Sequence, residues 1–191
     1  IIIDKPESDV MFSRSDSLTN NRNTATTSNT GAVSFKDADK IIGGIISSWK
    51  GNDRASDFVV VDSFNYLPDS IKNAAKQQGA EGEVKGVFHK GKTYLVLDKH
   101  NSTQELEETI YHETYGHHGL RKLYGNKLPQ VLSKLFIANG GMSGLRETAK
   151  RNGVDLSAYE DGLKQAKFNK ETVNRILMDE LLAHMQQSNK P

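Results

Sequence analysis

YHETYGHHGLR, Tyr111–Arg121, holds three of the chain's six histidines within seven residues, with a glutamate directly behind the first. It nearly spells H-E-x-x-H, in which two histidines four apart share one face of an α-helix and clamp one zinc ion. Here the second histidine comes one residue late. On a regular helix of about 3.6 residues per turn, His112 and His117 diverge by roughly 140° and cannot share a metal. A single-turn π-bulge would absorb the extra residue, and such bulges recur at functional sites. Gly116, directly before His117, tolerates the unusual backbone that a bulge demands. The stretch therefore predicts an expanded metal motif with His112 and His117 as ligands and Glu113 in the general-base position. The competing reading is an exposed polar helix face, because Glu108 with His112 and Glu113 with His117 are both i,i+4 pairs. That reading explains neither Gly116 nor the last helix.

A third ligand has to come from elsewhere. In ETVNRILMDELLAHMQQ, residues 171–187, an apolar stripe runs through Val173, Leu177, Leu181 and Met185, with Glu180 and His184 on or beside it. A carboxylate facing a core is costly unless it is paired or bound to metal. Asp179, Glu180 and His184 all qualify, and Glu180 is best placed by phase. The chain has no cysteine, so zinc would be held by histidine and carboxylate alone.

The other polar residues near the motif receive lesser roles. His184 is positioned to hydrogen-bond a ligand or to steady a tetrahedral intermediate. Asp179 and Tyr115 are further candidates for support or transition-state stabilisation. Arg121 is expected to pair with a carboxylate such as Asp179 or to cap its helix. His118 projects away from His117, and His89 and His100 read as exposed turn residues.

Working outward, residues 1–33 are rich in Ser, Thr, Asn and Asp and read as a flexible tail or linker, because they carry too little apolar surface to offset ordering. Within them MFSRSDS reads as a plain linker or as a processing site. A single domain is expected over residues 34–187, followed by a short tail, 188–191. SFKD opens a helix with a cap, and Gly51-Asn52 closes it. FVVVDSF reads as a buried strand, and Pro68 and Gly79 bracket the next helix. VKGVFH and TYLVLD flank a turn at Lys90-Gly91 and form a hairpin. Either strand is a candidate edge against which an extended peptide could lie. Ser102 and Glu105 make a capping box for the helix carrying the histidines, and only helices follow. The order predicts an α+β fold: a small mixed sheet whose hairpin packs on the metal-binding helix, with a helical C-terminal half.

Composition narrows the function classes. The formal charge of +1 lacks the basic footprint of a nucleic-acid binder. No apolar run approaches a membrane span, and IIID lacks the regions of a signal peptide. These features fit a cytoplasmic protein, or one delivered with a phage or as a secreted effector. The initial Ile reads as a segment excised from, or attached to, a larger polypeptide.

HETYGH also resembles the H-E-x-x-G-H variant of the zincin signature found in dipeptidyl peptidase III. The longer pattern, TYLVLD, a capped helix, HETYGHHGLR and a late DELLAH, resembles zincin-like metallopeptidase domains in large polyvalent proteins of phages and conjugative elements. The similarity runs from about Phe58 to His184. It implies a zincin-like fold, Zn2+ as cofactor, His112, His117 and Glu180 as ligands, Glu113 as base, and a peptide or protein substrate. Zinc-dependent peptide hydrolysis is the expected activity. Two rivals are a catalytically silent zinc-binding module within a larger protein and a toxin or effector acting on a non-peptide bond.

Overall fold

The computed structural model describes residues 11–14, 33–48 and 57–188. Trp49, the Gly51-Asn52 stop signal and residues 189–191 lie outside the described residues. The chain is α+β, built on one four-stranded mixed sheet with strand order β1-β3-β4-β2. The strands are β1 (Met11–Arg14), β2 (Asp57–Val61), β3 (Val84–His89) and β4 (Lys92–Val96). β3 and β4 form the expected hairpin, with His89 opposite Lys92. The two turn residues both have positive φ, Lys90 at 50° and Gly91 at 78°, as a type I′ turn requires. β2 pairs with β4 in parallel. It is an edge strand and only partly buried, not the fully buried strand that its composition suggested.

Helices cover both faces of the sheet because β4 alternates its apolar side chains. Val96 joins Val84, Val87, Ile71 and Ala75 beneath α2 (Asp69–Gln77). Leu95 faces the other way and packs with Ala38, Ile42, Ile45, Leu106 and Ile110 of α1 (Phe35–Ser48) and α3 (Thr103–Tyr111). Both helices start on the predicted caps. The Ser34 hydroxyl accepts from the Asp37 N–H at 3.2 Å, and the Asp37 carboxylate accepts in return from the Ser34 N–H at 3.2 Å. Ser102 accepts from the Glu105 N–H at 3.2 Å, while Glu105 accepts from the Asn101 N–H at 2.7 Å and pairs with Lys85 of β3. The cap thus also fastens α3 to the sheet.

Beyond α3 lie a π-helical segment (His112–His118), α4 (Gly119–Tyr124), α5 (Leu128–Ala138), α6 (Gly141–Arg151), α7 (Ser157–Gln165) and α8 (Lys170–Ser188). Leu132, Leu145, Tyr159, Leu163, Leu177 and Leu181 make the core of this helical half, with α8 running through it.

Three further sequence expectations need correction. The flexible reading of residues 1–33 fails at Met11–Arg14, which pair with β3 as a strand and bury Phe12 to 1% exposure. A composition argument counts apolar side chains and overlooks that an open sheet edge orders a short segment through its backbone. The remaining residues up to 32 lie outside the described residues, while Val33 is already part of the core. His89 is buried because every residue of β3 is, between two strands and two helical layers. His100 is buried because it ties β4 to α3. Its Nδ1 is 2.9 Å from the Val96 carbonyl and its Nε2 is 3.0 Å from Thr109 Oγ1.

Burial pushes the His100 imidazole down to about 4, against a backbone hydrogen bond that favours the proton. Its ordinary value is about 6.5. The neutral ring therefore contributes stability that is fully present above about pH 6.5 and lost as pH falls toward 4. The difference in unfolding free energy between the parent chain and His100→Gln should narrow by roughly 2 kcal/mol between pH 7.5 and pH 4.5. Denaturant melts at both pH values check this, and an unchanged gap would contradict it.

Candidate metal centre

The centre is assembled where the π segment meets α8. Tyr111, His112 and Gly119 all keep right-handed helical dihedrals, so the extra residue is wound into the helix instead of breaking it. With hydrogen bonding widened toward i→i+5, residues five apart fall on one side. His112 and His117 accordingly face each other, with their Nε2 atoms 3.1 Å apart.

Glu180 of α8 completes a triangle. One carboxylate oxygen is 3.4 Å from His112 Nε2 and the other is 3.6 Å from His117 Nε2. Ligands about 2.0–2.2 Å from a tetrahedral ion stand roughly 3.3–3.6 Å apart, and these separations, which end on two different carboxylate oxygens, are of that order. All three residues are at most 1% exposed. Two overlapping buried groups have ligand atoms within 4.8 Å of one another and could hold a metal ion: His112 with Glu113 and His117, and His112 with Glu180 and His184.

Charge in the cluster is set by mutual pairing. Burial opposes a proton on His117, but Glu180 and Asp179 outweigh it and push His117 up to about 10. Burial also opposes ionisation of Glu180, yet His117 and His112 hold its carboxyl well below the usual range. A proton on His117 thus occupies part of the role a cation would take, and metal binding must release it. His184 is driven the other way, to about 3, by burial and by His112, which keeps it a neutral imidazole. Its ring lies 4.4 Å from that of His112.

Behind His117, Asp179 Oδ2 stands 3.5 Å from Nδ1, on the side of the ring away from His112. Arg121 holds that carboxylate at 3.2 Å and also donates to the His117 carbonyl at 3.0 Å. It thereby fills both expected parts, carboxylate partner and helix-carbonyl donor. The carboxylate's charge on that side favours a proton on Nδ1 and leaves Nε2 facing His112.

Two close backbone approaches shape the site. A Cβ added to Gly116 would lie 2.5 Å from Ala183 Cβ and 2.6 Å from Ala183 Cα. Gly116 has no positive φ, so its value is steric: it lets α8 come close enough to deliver Glu180. Its part is thus not the tolerance of unusual backbone that the sequence suggested. A Cβ on Gly86 of β3 would likewise meet Thr109 Cγ2 at 2.6 Å and Glu113 Cγ at 3.1 Å. Glu113 is fully buried against that strand. The sequence analysis missed Gly86 and Ala183, although a glycine inside a β-branched strand is itself a signal of close approach.

Other expected participants lie elsewhere. Tyr115 is 38% exposed and stacks on Tyr111, with ring centroids 5.4 Å apart, outside the cluster. His118 packs edge-on against Phe88 at 4.8 Å. Neither hairpin strand is an edge: β3 lies between β1 and β4, and β4 between β3 and β2. Comparisons of the chain with protein-family models, curated proteins and solved structures give no match.

Gly116→Ala should push the π segment off α8 and weaken zinc binding by at least about tenfold, as loss of ligand support does elsewhere, while helical circular dichroism persists. Gly119→Ala is the control, because a Cβ there meets only the Thr114 carbonyl at 3.7 Å, an ordinary contact. Equal zinc affinity in both variants would remove the Gly116–Ala183 contact from the account.

Proposed function

We propose that the chain is a zinc-dependent peptidase with a zincin-like fold. The observation that carries the proposal is the buried triangle of His112, His117 and Glu180 with a buried glutamate directly behind the first histidine. Two imidazoles and one carboxylate are a donor set that zinc favours in catalytic sites, where the fourth position stays open. When bound, zinc supplies Lewis-acid polarisation of the scissile carbonyl and lowers the pKa of a water toward ~7.

The chain's own residues supply the rest. His112 and His117 present Nε2, and Glu180 offsets part of the cation's charge. Asp179, gripped by Arg121, stands 3.5 Å from His117 Nδ1 and favours a proton there over one on Nε2. Glu113 takes the proton of the attacking water as the new C–O bond forms. It then hands that proton to the amine as the C–N bond breaks. His184, neutral and beside His112, is available to hydrogen-bond the developing oxyanion.

The position of His184 also favours a second reading. If it served as a fourth ligand with His112, His117 and Glu180, the site would be closed and structural, since catalytic zinc keeps one position free. The chain would then be a zinc-binding module without turnover. Among the described residues no helix is long and apolar enough to cross a membrane, which leaves the compartment undecided.

Three variants test these readings. Glu113→Gln should keep its zinc and lose peptidase turnover by at least about 100-fold, the low end for removing a general base. Undiminished turnover in that variant would take Glu113 out of the mechanism. Elemental analysis after dialysis should find near-stoichiometric zinc in His184→Ala and little in His112→Ala. Loss of zinc from both would favour the closed structural site.

A further inference from the structure

A pocket of about 510 Å³ opens where the β3–β4 turn, the α4–α5 connection and the first half of α8 meet. Small-molecule sites span roughly 300–1,000 Å³, so the volume suits a small ligand. The pocket is separate from the metal centre, because His112, Glu113, His117, Glu180 and His184 do not line it. What the two share is Asp179 and Arg121, the pair behind His117.

Its lining joins two chemistries. Phe88 of the sheet, Leu128, Pro129 and Leu132 of α5 and Ile176 of α8 make an apolar wall. Lys90, Arg121 and Arg175 bring three cations. Among the described lining residues Asp179 is the only carboxylate, and at 2% exposure it shows solvent almost none of its charge. The side chains of Arg121 and Arg175 are 25% and 16% exposed, and Lys90 stands exposed on the turn. The charge that a ligand meets is therefore cationic. Arg175 also pairs with Glu171 at 2.8 Å, but that carboxylate is 73% exposed, where an ion pair adds little. A ligand can recruit Arg175 without stranding a buried charge. Arg121 is held by Asp179 and lies 6.0 Å over the Phe88 ring, where cationic and apolar lining meet. Leu128 and Pro129 belong to the first turn of α5, so the positive end of that helix dipole also points to this region.

We infer that this pocket binds a small apolar carboxylate, with Arg175 and Lys90 supplying the charge and the Phe88–Leu132–Ile176 wall covering the carbon chain. A guanidinium matches the planar fork of a carboxylate. The apolar wall favours one charge on a long apolar body over a compact, strongly hydrated anion such as phosphate. A free acid and the C-terminal residue of a peptide offer this same chemistry. The inference rests on neither the zinc nor the peptidase reading.

The test is a titration of the full-length chain with octanoate, followed by amide chemical shifts. Saturable shifts are expected at Gly91, Gly125 and Leu132. Lys90→Asn combined with Arg175→Gln should weaken octanoate by at least about tenfold, the loss of one hydrogen bond to a charged group. Asn tolerates the positive φ of position 90, so the turn is kept. Lys76→Gln combined with Lys134→Gln removes the same charge from outside the pocket and should bind octanoate like the parent. On the unaltered chain, octan-1-ol should bind at least about tenfold more weakly than octanoate. Inorganic phosphate should leave these amides unshifted at the same concentration. N-acetyl-leucyl-leucine separates the sources: tighter binding than octanoate makes the ligand a peptide C-terminus, and weaker binding makes it a free acid. Equal affinity for octanol and octanoate would overturn the inference, as would equal octanoate binding by the two double variants. So would shifts centred on residues 112–118, which would place the carboxylate at the metal centre, or no saturable shift with either carboxylate.

Discussion

The approach of α8 to the π segment at Gly116 and Ala183 governs the rest of the centre. Those two residues leave no room for even one added carbon. The close fit puts Glu180 within 3.4–3.6 Å of two imidazole nitrogens and Asp179 within 3.5 Å of a third. It also leaves three carboxylates and three histidines among the most buried residues of the chain. A fold selected for stability alone would fill such a space with apolar side chains, since buried ion pairs seldom recover their desolvation cost. Shifted protonation of this kind recurs at functional sites and also in structural ion-pair networks.

Much of this was legible in the sequence because it depends on local rules. With five-residue spacing, His112 and His117 could share a face only through a π-bulge, and the chain is π-helical over His112–His118. Ser34 and Ser102 cap the helices they were expected to cap, and Lys90-Gly91 makes the two-residue turn. Helical phase alone pointed Glu180 inward, and Arg121 found Asp179. What stayed hidden depends on partners distant in the chain. Gly116 looked like a backbone device because nothing in its neighbourhood names Ala183. His100 looked exposed because its partner Thr109 becomes a neighbour only once α3 has turned back on β4. β1 was invisible because strand addition is a property of the β3 edge, and the four residues that use it have ordinary linker composition.

The buried charges of the centre are paired with one another. His117 and Glu180 neutralise each other, a pairing that a bound cation would have to displace. His184 stands outside that pairing as a neutral ring. Whether it coordinates or only neighbours the ion separates a closed site from an open one. The same three-ligand geometry therefore supports a structural module or a catalyst, according to one residue on α8.

The central claim is that the extra residue of HETYGH is absorbed so that both histidines and Glu180 bind one ion. Anomalous diffraction at the zinc edge from crystals of the zinc-loaded chain tests it most directly. The account predicts one strong peak bonded to His112 Nε2, His117 Nε2 and a Glu180 carboxylate oxygen, with the π segment retained. A regular α-helix through residues 112–118, with only one of the two histidines on the ion, would contradict it.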